Sequence, residues 1–110
     1  MIKKLKEFLE SSQRNAWLEN SLLKVYVRKG HHIIENRLVK TLDIAALEVV
    51  KRNRGTGTKL INDFHQMNSF EYTYLENVLT ERFTNKLRSL GWHEIPSEHG
   101  ISSFYKKAGE

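Results

Sequence analysis

LDIAALEVVKRNRGTGTKLINDFHQM, residues 42–67, decides the fold. An apolar run from Leu42 to Val50 passes through a basic turn, Arg52-Asn53-Arg54-Gly55-Thr56-Gly57, into Leu60, Ile61, Phe64 and Met67, spaced i, i+1, i+4 and i+7. That order reads as a strand, a short glycine-bearing loop and a helix whose apolar stripe packs on a sheet. The first amides of such a helix lack partners within it and lie at the positive end of its dipole, so the junction favours an anion, phosphate above all. Gly55 and Gly57 permit positive φ and let a ligand oxygen come close to the main chain. The loop is neither a Walker phosphate loop nor a dinucleotide Gly-x-Gly-x-x-Gly turn. Its plain alternative is a tight strand-to-helix connection with solvated basic residues.

Upstream, residues 22–28 alternate Leu23, Val25 and Val27 as a strand, and Lys29-Gly30 reads as a turn. A second strand over residues 32–35, a turn at Asn36-Arg37 and the long strand ending at Val50 complete an antiparallel meander, since the connections are too short for crossovers. Before the meander, Ile2, Leu5, Phe8 and Leu9 share one helix face, and residues 13–19 read as a second short helix covering a sheet edge with Ala16, Trp17 and Leu18. Downstream, residues 70–78 form an aromatic strand. A crossover helix separates it from the strand ending at Val50, so the two should run parallel. Residues 80–90 return to helical spacing through Phe83, Leu87 and Leu90, with Gly91 as the C-terminal cap and Lys86 and Arg88 at the negative end. A short strand at 93–95, Pro96, a polar turn and a last strand at 102–106 finish the chain. The fold class is α+β, a mixed sheet with helices, in a single domain over residues 1–110.

The 110 residues suit one modest core. Eighteen Lys and Arg against thirteen Asp and Glu give +5, which favours an anionic partner, although interspersed acidic residues make solubility an equally simple reason. With no cysteine there is no disulfide framework, thiolate zinc site or cysteine nucleophile, and a reducing cytoplasm is the expected setting. The N-terminus lacks the apolar core and cleavage site of a secretory signal, and no run is long enough to span a bilayer. Five histidines without i, i+4 pairing give no metal-ligand pattern, and His65 reads as solvated on the polar side of its helix.

The order of elements, with Arg52-Asn53-Arg54-Gly55-Thr56-Gly57 after the strand LDIAALEVV, resembles the GCN5-related N-acetyltransferase (GNAT) superfamily, whose acetyl-CoA loop follows Gln/Arg-x-x-Gly-x-Gly/Ala. The segment YLENVLTERFTNKLRSLGW adds to the resemblance, with Asn77 ending a strand and Gly91-Trp92 following a helix. Together these features cover residues 22–107. The resemblance implies a GNAT-like architecture: two short N-terminal helices, a meander, and a parallel pair, the family's fourth and fifth strands, that splays so pantetheine lies in the gap. It further implies that main-chain amides of Arg54, Gly55, Thr56, Gly57, Thr58 and Lys59 hold the pyrophosphate, with Arg52 in the first motif position. Leu47 to Val49 would bond the pantetheine amides. Asn77 would contact the arm, unless it caps the helix that begins near Thr80. Many members carry a general-acid tyrosine where this chain has Leu87.

The chemistry this implies is direct transfer of an acetyl group from acetyl-CoA to an amine, with no metal. An ammonium must lose a proton before it can attack, and Glu48 and Glu76, beside the expected thioester, are the candidate bases. A second reading is a GNAT-like protein that binds CoA or a macromolecule without catalysis. A third is a basic nucleic-acid module, because Tyr72, Tyr74, Phe104 and Tyr105 interleave with Lys and Arg. The acceptor is left open, as is a homodimer through Trp17 or Trp92.

Overall fold

The computed structural model describes residues 1–50, 55–78, 80–97 and 99–110. Along them lie α1 (Ile2–Glu10), β1 (Asn15–Glu19), β2 (Leu23–Ile34), β3 (Arg37–Val49), α2 (Thr56–Met67), β4 (Tyr72–Val78), α3 (Glu81–Ser89), β5 (His93–Ile95) and β6 (Ser102–Lys107). The strands form a six-stranded sheet in the order β1-β2-β3-β4-β6-β5. β3 and β4 run parallel, as the crossover through α2 requires, and the other neighbours are antiparallel.

Two expectations fail at the N-terminal end. Residues 15–19 are a strand, not a second helix, so α1 is the single helix that precedes the sheet. Cross-strand contact decides this: Trp17 faces Tyr26 with ring centroids 5.0 Å apart, and the Lys24 ammonium lies 4.5 Å from the Trp17 ring centre. Lys29-Gly30 is not a turn either. β2 continues through it for 12 residues, and the reversal comes at Glu35-Asn36, both with positive φ (52° and 64°), one residue earlier than the expected turn. The meander therefore has three strands as expected, but they are β1, β2 and β3.

Each helix feeds the same core. Leu5 and Phe8 of α1, Leu60, Ile61 and Phe64 of α2, and Leu87 of α3 join Val25, Val27, Leu42, Ile44, Leu75 and Phe104 from the sheet. Period-two alternation then fixes what faces the other way. Arg28, His32, Asp43, Tyr74 and Glu76 project from the face opposite the helices. Ile34, Val39 and Tyr72 form a small satellite cluster on that face.

The helix ends explain where the chain turns. Thr80 caps α3, its hydroxyl accepting from the Phe83 amide at 3.3 Å. At the other end Gly91 takes φ +88° and the Trp92 amide bonds the Leu87 carbonyl at 3.1 Å, a glycine-capped C-terminus as expected. Arg88 then grips Glu94 of β5 with two bonds of 2.7 and 2.9 Å, and with Ser102 this holds the Glu94 carboxyl down at about 2.

His65 corrects another expectation, because it is buried at 5% exposure instead of solvated. Its Nδ1 lies 2.8 Å from the Thr73 hydroxyl, its ring tilts against Trp92, and its Nε2 has no partner among the described residues. Burial, with the Lys106 charge nearby, lowers its pKa below the usual imidazole value of 6.5. The unfolded chain then takes up this proton more readily than the folded one. Its contribution is complete above pH ~6.5 and is lost as pH falls through the lower folded value. Urea titrations at pH 7.5 and 5 should show a fall in stability that is smaller in His65→Gln.

Candidate functional site

β3 and β4 pair over only four positions, Thr41 with Tyr72 through Ile44 with Leu75. Beyond Ile44 and Leu75 they part. Residues 46–49 stay paired with β2, so the side of β3 that faces β4 carries main-chain groups with no strand beside them among the described residues. Two irregularities sit at the parting. An extra residue in β3 shifts its register between the Tyr26 and Val27 pairs, and β4 is irregular between Leu75 and Val78. Asn77 lies in the second with φ +51°, and its amide donates to the Ser103 hydroxyl of β6 at 3.1 Å. It does not cap α3, since Thr80 does.

The gap opens toward the start of α2. Gly55 is the N-cap residue at φ +70°, a conformation that suits glycine, and no side chain among the described residues caps the helix. The Lys59 amide bonds the Gly55 carbonyl, and the amides of Thr56, Gly57 and Thr58 form the first turn, with no partner among the described residues. Gly57 is helical, so its value is not positive φ. A Cβ there would lie 3.2 Å from Leu47 and 3.8 Å from Val49, so glycine lets α2 start directly against β3. Arg52 and Arg54 lie outside the described residues.

A cleft of about 470 Å³ runs from this turn to α3, between Gly55, Thr58 and Lys59 on one side and Lys86 and Leu87 on the other, with Lys106 at its end. Lys59 belongs to the first turns of α2, and Lys86 and Lys106 line the same cleft, so three ammonium groups share one depression suited to an anion. Lys59 also pairs with Asp63 at 2.8 Å, and Lys106 donates to the Leu90 carbonyl. Leu87 is fully buried.

On the face opposite the helices, Asp43 is 1% exposed and accepts from three sides. The Thr41 hydroxyl donates at 2.6 Å, His32 Nε2 lies at 3.0 Å, and Arg28 Nε lies at 3.4 Å. The carboxylate is seated over Gly30, where a Cβ would fall 2.3 Å from Oδ2. Tyr74 stacks on His32 with centroids 3.7 Å apart, and the second arm of Arg28 binds Glu76. Burial works against the Arg28 charge, but Glu76 and Asp43 together raise its pKa. The structure thus joins Glu76 to a cluster at the base of the gap and leaves Glu48 apart from it, exposed opposite Lys24. His32, Asp43 and Arg28 were not singled out in the sequence. The one signal was a glycine inside a β-rich run, which marks a close approach as readily as a turn.

No family model and no curated protein sequence matches the chain. Solved structures do match in fold. One is a mutant AtaT toxin bound to the C-terminus of the antitoxin AtaR and acetyl-CoA, at 12% identity and TM-score 0.58, covering 79% of this chain and 59% of that one. Another is the KacTA–DNA complex, at 11% identity and TM-score 0.62, covering 96% of this chain and 80% of that one. This chain therefore spans under two thirds of the AtaT chain. The mixed sheet and helices have the GNAT-like fold of these neighbours.

Proposed function

We propose that this GNAT-like domain is an N-acetyltransferase that moves an acetyl group from acetyl-CoA directly to an amine. The observation that carries the reading is the parallel pair that separates after four positions and opens onto a helix start that no side chain among the described residues caps. Pyrophosphate would sit on the amides of residues 54–59, with Lys59, Lys86 and Lys106 offsetting its charge and Arg52 and Arg54 contributing from the loop. The pantetheine arm would lie along Leu47 to Val49, whose free main-chain groups match its amides, with Asn77 across the gap. Acetyl-CoA bound to AtaT supports this carrier for a chain of like fold.

No covalent nucleophile is needed, because an amine held against the thioester reacts by proximity once it has lost a proton. Glu76 remains a candidate base through its place beside the gap, and Glu48 through its place on β3. The face around Glu76 is free of helices, which suits an amine on a protein or nucleic acid as well as a small one. The fully buried Leu87, where many GNAT enzymes have an acid, favours a leaving thiolate protonated by solvent. It equally favours a second reading, a CoA-binding protein without turnover.

Acetyl-CoA at a hundredfold excess over Kd should stabilise the protein by about 2.7 kcal/mol, several degrees in Tm. Thr58→Glu should remove that shift. A carboxylate in the first turn suits the helix dipole and can reach back to the cap amide, so the apo Tm should hold or rise while phosphate is repelled. No shift in the wild type would refute the carrier. A shift without thiol release on any amine would select the second reading.

A further inference from the structure

We infer that His32, oriented by Asp43, is the group that takes the proton from the acceptor ammonium. The inference rests on the acetyltransferase reading and names the base for it. The Asp43–Tyr74 pair is the last but one before β3 and β4 part, and Glu76 is the first residue past the last pair, so the cluster lies at the base of the gap. An acetyl end emerging there on the helix-free face meets these side chains.

The arrangement is specific to holding one imidazole. A glycine in mid-strand makes room for the carboxylate, and the Thr41 hydroxyl fixes its Oδ1. Both carboxylate oxygens lie within 3.1 Å of His32 Nε2, and Tyr74 stacks flat on the ring at an interplanar angle of 11°. A carboxylate facing Nε2 selects the tautomer with the proton there, which leaves Nδ1 as a lone-pair acceptor. His32 is a quarter exposed, and the assignment requires that open part to include Nδ1, where a substrate or a relayed water would reach it.

His32, Asp43 and Glu76 also place ligand atoms within 4.8 Å of one another, the spacing of a metal site. Arg28 decides against that use, because its guanidinium binds both carboxylates and sets a fixed positive charge among them. The same contacts engage Glu76 in an ion pair with Arg28, whereas His32 is hydrogen-bonded through Nε2 alone among the described residues.

The step balances as follows. Nδ1 takes one proton from R–NH3⁺, and the free amine attacks the thioester carbonyl to form the C–N bond. The C–S bond then breaks, the thiolate takes the second amine proton, and the imidazolium releases its own to solvent. Asp43 is a positioning residue in this scheme.

The test uses acetyl-CoA with two probe nucleophiles at neutral pH: an alkylamine, which is protonated, and hydroxylamine, which is not. His32→Gln and Asp43→Asn should lower thiol release with the alkylamine by roughly 10²-fold or more. Hydroxylamine rates and the acetyl-CoA Tm shift should stay within a few-fold and a degree or two, respectively. The ¹⁵N imidazole spectrum of the wild type should show a signal, absent in His32→Gln, with Nε2 protonated and Nδ1 bare. Equal losses with both nucleophiles, unchanged rates, or a protonated Nδ1 would overturn the assignment while leaving acetyl-CoA binding intact. So would a wild type that binds acetyl-CoA and acetylates neither probe, or activity removed by EDTA and restored by zinc. A wild type with no acetyl-CoA shift overturns the acetyltransferase reading and this assignment together.

Discussion

Gly30→Ala should cost about 3 kcal/mol of stability, far more than a single methyl on a strand ordinarily does. The new Cβ would stand 2.3 Å from Asp43 Oδ2 and 2.9 Å from its Cγ, distances that real atoms do not tolerate. Asp43 cannot yield cheaply. Its side chain is held by Thr41, His32 and Arg28, and moving it strips three polar or cationic groups of their shared acceptor. Breaking a buried charged network of this kind costs about 3–5 kcal/mol. A double-mutant cycle with Asp43→Ala isolates the cause. Each single variant should be strongly destabilised in urea titrations, and the double variant should fall short of their sum by about 1–3 kcal/mol. Strict additivity would mean that the close approach of Gly30 to the carboxylate is not what makes glycine necessary.

Phe104→Ala should lower stability by about 3–5 kcal/mol, a large share of the 5–15 kcal/mol typical of one domain. Phe104 has no exposed surface and lies opposite Leu75 of β4 and Glu94 of β5. It therefore ties β4 to the side of the sheet away from β3, where β4 must stay for the gap to persist. Ile33→Ala is the matched control, since Ile33 is 73% exposed on the hairpin arm and its loss should stay within about 0.5 kcal/mol. Midpoints of urea unfolding for the two variants give the comparison. Similar small losses in both would show that the core does not close on β6.

What could be read in the sequence was whatever a local period or a chain-direction rule determines. α2 has an apolar stripe, and a strand, a helix and another strand in a row leave a parallel pair as the simple solution. β1 was misread because Ala16, Trp17 and Leu18 are contiguous apolar residues with no period of their own. Pairing of Trp17 with Tyr26 settles their conformation, and that pairing is a tertiary fact. Gly30 looked like a turn because the reason for it sits 13 residues away in Asp43. Likewise no spacing rule brings His32 to a carboxylate 11 positions on. His65 appeared polar-facing until β4 and Trp92 closed over it. The divergence of β3 from β4 came from the family resemblance and from nothing periodic in the residues.

A sheet normally leaves lone peptide groups only along its outer borders, where water can satisfy them. This one also has a border in its middle, along residues 45–49. Whatever lodges there is judged as a surrogate strand: it must offer donors and acceptors at peptide-like intervals. A chain of bare methylenes would leave these peptide groups without partners, whereas an arm built around two amide linkages can complete the ladder. On the proposed function, the fold would screen its guest by the backbone of the carrier before the group being carried is reached.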